Sequence, residues 1–151
     1  MGRRVTLPEH VRLALEVFFG ASVASVHVIE HSWFVRLHGR AIATTRRRRI
    51  YLRGSGADFF DDSVLMLHEY CHVLKQWEPG ILTTARYVLE WLQRGYWANR
   101  FEVEAREFAA LHSHRLHALL GCSAQQRLAT VEATSGPSEG DRQGERNAHR
   151  E

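Results

Sequence analysis

Two histidines and a glutamate offer the first chemistry in this chain. Within Val64–Leu74 it reads His68-Glu69-Tyr70-Cys71-His72, an H-E-x-x-H pattern. On a helix, residues four apart share a face, so His68 and His72 can present two imidazoles to one ion. Glu69 stands one step round from His68, beside the ion but free to handle a proton. Peptide hydrolysis at zinc uses this arrangement, with the glutamate as general base. Four apolar residues lead in, the spacers Tyr70 and Cys71 are uncharged, and Val73-Leu74 follow. A helix that carries a metal must bury its far side, and this composition suits that.

A catalytic zinc takes three protein ligands and a water. Glu78 lies six residues after His72, where the pattern H-E-x-x-H-x-x-G-x-x-H sets its last ligand, but the glycine that pattern needs is Lys75 here. Glu102, within Asn99–Ala109, is the better candidate. A second helix lying across the first can lower one carboxylate onto the metal, and Ala105 and Ala109 on the same face permit close approach. Glu104 points elsewhere, to solvent or a nearby hydrogen bond. Hydrolysis also needs a donor for the developing oxyanion. Tyr96, Arg100 and Tyr51 are all available and the sequence does not choose among them; Tyr96 is the first candidate for transition-state stabiliser. His112, His114 and His117 read as solvated residues of a surface helix face rather than a metal cluster.

These residues need elements to position them. Thr6 and Glu9 form a capping-box pattern ahead of an apolar stripe, Val11, Leu15, Phe18 and Phe19, with Gly20 as the stop. Ser25–His31, Ser32–His38, Arg40–Thr45 and Ile50–Arg53 are rich in β-branched and aromatic residues and read as strands, with a turn at Gly39. The run Arg46–Arg49 reads as a solvated turn in an edge hairpin, where charge also discourages pairing between molecules. The metal helix spans about Asp62–Trp77 and stops near Pro79-Gly80. A third helix covers about Leu82–Arg94, with Tyr87, Leu89, Trp91 and Leu92 as core candidates and Gly95 at its end. A fourth runs from Asn99 to Gly121, and a short amphipathic piece follows near Gln125–Val131.

H-E-Y-C-H followed by E-V-E-A-R-E-F-A resembles a small gluzincin. The second segment is similar to the E-x-x-A segment of HtpX-type and ImmA/IrrE-type zincins, where the glutamate three before the alanine is a ligand, which maps onto Glu102. The stretch from Arg49 to the metal helix resembles compact zincins associated with contractile injection systems. The residue after the alanine, often Asp or Asn in such proteins, is Arg106 here. The resemblance implies an α+β fold of the minimal zincin kind: a small N-terminal antiparallel or mixed sheet packed on a bundle of about four helices. It also implies Zn2+ as cofactor, a peptide or protein substrate laid along a sheet edge, for which Ile50–Arg53 is the candidate, and metalloendopeptidase activity. The alternative is a non-catalytic zinc-binding scaffold or sensor.

The length of 151 residues suits one domain over residues 1–134, large enough for a real core. Residues 135–151 are Gly, Ser, Pro and charge and read as a disordered tail. Net charge is +3 and the sequence pI about 9.2. That mild excess permits an acidic partner without demanding one. No aromatics interleave the arginine run, so nucleic acid is not the expected partner. Two cysteines, Cys71 and Cys122, make no disulfide framework. Neither a signal-peptide pattern nor a membrane-length apolar run occurs, so a cytoplasmic protein is expected.

Overall fold

Alternation of residue type places His27–Glu30 in a strand, β2, with Val28 and Glu30 turned inward and His27 and Ile29 half-buried. A computed structural model describes residues 2–36 and 41–134. Among these, β1 (Arg3–Val5), β2, β3 (Ala43–Arg46) and β4 (Arg49–Leu52) form one mixed sheet of order β1-β2-β4-β3. The β1–β2 and β3–β4 pairs are antiparallel, and β2–β4 is parallel. Helices α1 (Glu9–Phe19), α4 (Ser63–Cys71), α5 (Thr84–Arg94) and α6 (Arg100–Thr134) are the longer ones; α2 (Trp33–Arg36) and α3 (Gly56–Asp61) are short. The chain is therefore α+β, as its motifs imply.

The arginine run does form a solvated hairpin turn. Arg46 pairs with Arg49 across it, and Arg47 takes a left-handed backbone at φ 53°. This turn folds β3 onto the outer side of β4, while β2 takes the inner side. The edge on this side of the sheet is therefore β3, and β4, which holds most of the Ile50–Arg53 stretch expected at an edge, lies inside the sheet. A second expectation also changes. Ser32–His38 is not a strand over its described part: Ser32 Oγ accepts from the Phe34 amide at 3.3 Å, and Trp33–Arg36 turn into α2. Burial of Val35 and packing of Phe34 on Tyr51, with ring centroids 5.1 Å apart, hold that turn. The turn expected at Gly39 lies outside the described residues, as does the tail 135–151.

Helix α1 ends as its sequence demands, with Gly20 left-handed at φ 64° and its amide bonded to the Glu16 carbonyl. The capping box at its start does not form. Its N-cap is Pro8, whose fixed φ suits a helix entry, while the preceding residues are drawn off into β1. One face of α1 buries Val11, Ala14 and Leu15. Phe18 and Phe19 pack against Phe108 of α6, each with centroids 6.0 Å from it.

Asp62 caps α4, its Oδ1 accepting from the Val64 and Leu65 amides at 3.0 and 2.9 Å. Met66, Leu67, Tyr70 and Cys71 face the core. From His72 to Trp77 the helix widens to a π-helical stretch, seen in the Glu78 amide bonding back to the Val73 carbonyl. Gly80, at φ 74°, then ends it. Helix α6 lies against α4 through Ala105 and Ala109, both buried, so the small-residue face does allow close approach. It runs unbroken through Gly121, where a stop was expected. A mid-helix glycine costs only about 1 kcal/mol against alanine, and Leu119 and Leu120 pack on the core beside it.

Helix α5 departs most from expectation. It buries no residue: Leu89, Trp91 and Leu92 are 55%, 50% and 69% exposed. Their spacing makes an apolar stripe, but that stripe faces outward, and only Tyr87 of the four core candidates turns inward, half-buried.

Candidate metal centre

The centre is built where α4 crosses α6. His68 leaves the last turn of α4, and His72 follows at the first residue of the π-helical stretch. Their Nε2 atoms lie 3.2 Å apart. Glu102, in the first turn of α6, reaches between them. Its Oε2 is 3.3 Å from His68 Nε2 and its Oε1 is 3.7 Å from His72 Nε2. Ligand atoms from all three side chains lie within 4.8 Å of one another, a group that could hold a metal ion. Glu78 takes no part; it pairs with Arg48 at 3.1 Å.

The donor set fits a cation. Glu102 Oε2 is buried without a hydrogen bond, although His68 Nε2 stands 3.3 Å from it. A buried, unbonded carboxylate oxygen is costly, and a bound metal removes that cost. Burial acts to raise the Glu102 carboxyl pKa, but His68, His72 and Tyr87 override it and hold the group well below the carboxylate range. Burial likewise disfavours charge on His72, and the nearby Glu102 and Glu69 outweigh it, raising its pKa.

Several residues that the motifs did not flag position these ligands. Gln76 Oε1 lies 2.7 Å from His72 Nδ1. A glutamine oxygen can only accept, so Nδ1 carries the proton and Nε2 presents its lone pair to the centre. The Gln76 amide nitrogen donates to the Phe101 carbonyl at 3.1 Å and to Glu104 at 3.0 Å. One side chain thus fixes a ligand on the first helix and the start of the second. Arg106, the residue after Ala105, bonds the Trp97 carbonyl. The Tyr87 hydroxyl donates to Glu102 Oε1 at 2.8 Å. Asn99, fully buried, caps α6 through the Phe101 amide and donates to the Tyr87 carbonyl, joining α5 to the ligand helix. The i,i+4 spacing of His72 and Gln76 was the available signal for the first. Tyr87 carried none, since its partner is set by tertiary packing.

Glu69 is buried, and the Thr45 hydroxyl of β3 donates to its Oε2. Its other oxygen has no protein partner among the described residues. Tyr96 is half-exposed; burial first, then the nearby Glu102 and the charge of Glu69, pushes its pKa up to about 12. The other two donor candidates lie elsewhere. Arg100 pairs with Glu90 at 3.4 Å and covers the Phe101 ring, and Tyr51 packs at a tilt against Phe34. His112 packs between Phe18 and Phe108, and no metal-ligand group forms with His114 and His117 among the described residues.

No protein-family model, curated protein or solved structure matches this chain. No helix among the described residues is long and apolar enough to cross a membrane.

Proposed function

We propose that this protein is a zinc-dependent peptide hydrolase of the small gluzincin kind. The observation that carries the reading is the convergence of His68, His72 and Glu102 around the unbonded Glu102 Oε2, with Glu69 one residue from the first ligand. Two neutral imidazoles and one carboxylate are the ligand set of a catalytic rather than a structural zinc, because they leave a coordination position open. Bound there, zinc supplies Lewis-acid polarisation of the scissile carbonyl and lowers the pKa of water towards about 7.

Glu69 takes the proton from the attacking water and returns it to the leaving amine as the C–N bond breaks. The Thr45 hydroxyl steadies one Glu69 oxygen and leaves the other for that transfer. Tyr96, protonated at neutral pH, is the candidate donor to the oxyanion. A peptide added along the free edge of β3 runs past Thr45 and so past Glu69. A cytoplasmic setting belongs to the same reading, since Cys71 and Cys122 are both free.

The test is metal analysis of the purified protein together with peptide-library cleavage by the parent and Glu69→Gln. We expect one zinc per chain in both proteins and cleavage by the parent alone. Zinc bound with no cleavage by either protein leaves the scaffold or sensor reading; equal cleavage by both removes Glu69 from the mechanism.

A further inference from the structure

The arginine run has no role in hydrolysis, yet it borders the route a substrate takes to the centre. A groove of about 1290 Å³ opens at the end of β3, lined by Arg46, Arg47, Arg48 and Arg49 on one side and by the π-helical stretch and the loop after it on the other. A groove of that size, open to solvent along its length, has room for an extended segment. Only Arg48 has an ion-pair partner, Glu78; among the described residues Arg46, Arg47 and Arg49 have none. Guanidinium groups free of carboxylates call for an anionic acceptor.

The groove is continuous with the proposed substrate edge. Arg46–Arg49 close a two-residue hairpin turn, and the residues flanking such a turn bond to each other across it. The alternation along an antiparallel pair then turns the backbone groups of Thr45 and Ala43 to the open edge. A peptide paired there passes Glu69 beside Thr45 and reaches Arg46 and Arg47 one or two residues further on, at about 3.3 Å per residue. Resting on the hydrolase reading above, we infer that the groove selects substrates with Asp or Glu residues flanking the scissile bond on the side that leaves β3 at Arg46.

The experiment measures binding and cleavage separately. Fluorescein-labelled peptides of one length, carrying either an Asp/Glu cluster or Ser/Gln in its place, are titrated by anisotropy against zinc-loaded Glu69→Gln. A single-stranded oligonucleotide of equal charge is titrated in parallel. We expect the acidic peptide to bind about tenfold tighter than the neutral one, from three exposed charge pairs of the usual strength. That preference should fade at about 0.5 M salt, where the screening length is only a few ångströms. In Arg47→Asn/Arg49→Gln on the same background, the preference should fall to about threefold or less. Asn accepts the left-handed turn conformation and Gln keeps side-chain length, so an unchanged melting temperature certifies the fold. Equal binding of the two peptides, or tighter binding of the oligonucleotide, overturns the inference. The same peptides incubated with the zinc-loaded parent test the other reading. Acidic peptides that bind selectively yet stay intact leave the groove assignment standing and remove the hydrolase.

Discussion

At the residue scale, the proposed function separates groups that would hold a metal from the group that would move a proton. Glu69→Gln keeps shape and the Thr45 bond but cannot take a proton at neutral pH, so zinc affinity should persist while turnover falls about 10²–10⁴-fold. Glu102→Gln exchanges an anionic oxygen for a weak neutral one. It should lose zinc first, with activity partly restored by excess metal. Glu78→Gln and Glu104→Gln are the controls, and loss of zinc in Glu78→Gln alone would overturn the ligand assignment. Gln76 belongs to a third class. Gln76→Ala frees the His72 ring and removes the bonds from Gln76 to the Phe101 carbonyl and Glu104 that tie it to α6. A chelator competition should read a roughly 10–100-fold weaker zinc site. A lower melting temperature with unchanged affinity would show Gln76 to be packing only. The two histidines could be read from spacing because helical geometry fixes i,i+4 neighbours, Glu69 from the H-E-x-x-H pattern, and Glu102 from the small-residue face of its helix and the resemblance of that segment. Thr45 and Tyr87 could not, because a strand and a separate helix bring them in.

At the element scale, the metal helix, the ligand helix and the β3–β4 hairpin were legible, each with its own periodicity or turn residues. What misled was composition without period. Trp33-Phe34-Val35 has the residue types of a strand, yet the Ser32 cap and the Tyr51 contact turn it into α2. Arg3–Val5 is too short to announce itself and is held by partners distant in sequence. Glu30 shows how. It binds Arg3 through two nitrogens and accepts the Gly56 amide at 2.8 Å, tying β1, β2 and α3 together. The Gly56 bond first, then Arg3, lowers its pKa from the ordinary 4.5. A depressed carboxyl contributes stability above its unfolded pKa and loses it as pH falls through the folded one. Melting temperature should therefore drop below about pH 4.5, and Glu30→Gln should lower it at pH 7 while flattening that acid slope. An unchanged slope would show that Glu30 is not the group responsible. Gly56 marks the same junction by its lack of a side chain, since a Cβ there would lie 2.8 Å from Val5 Cγ1. Gly56→Ala should destabilise by about 1–3 kcal/mol in urea unfolding, the usual cost of an overfilled core. A variant as stable as the parent would mean that β1 yields freely.

At the scale of the whole molecule, a metal bound at the proposed centre would also act as a clamp. Its ligands come from two helices, and α5, with no buried residue of its own, is held to them through the Tyr87–Glu102 and Asn99–Tyr87 bonds. A ligand that binds only the folded state adds RT ln(1 + [L]/Kd), about 2.7 kcal/mol when free metal is a hundredfold above Kd. For a domain of this size that converts to roughly 5–11 °C in melting temperature. Zinc should therefore raise the melting temperature by about that much in the parent and leave His68→Ala unmoved. Because Glu102 alone connects the metal to Tyr87, the gain should not be spread evenly. Amide exchange over Thr84–Arg94 should slow on zinc addition, and the same metal should leave that segment unchanged in Tyr87→Phe, which keeps the ring and loses the donated bond. If exchange in α5 ignores zinc in the parent while the melting temperature rises, the metal stabilises the α4–α6 crossing alone, and α5 with its outward apolar stripe is an independent element.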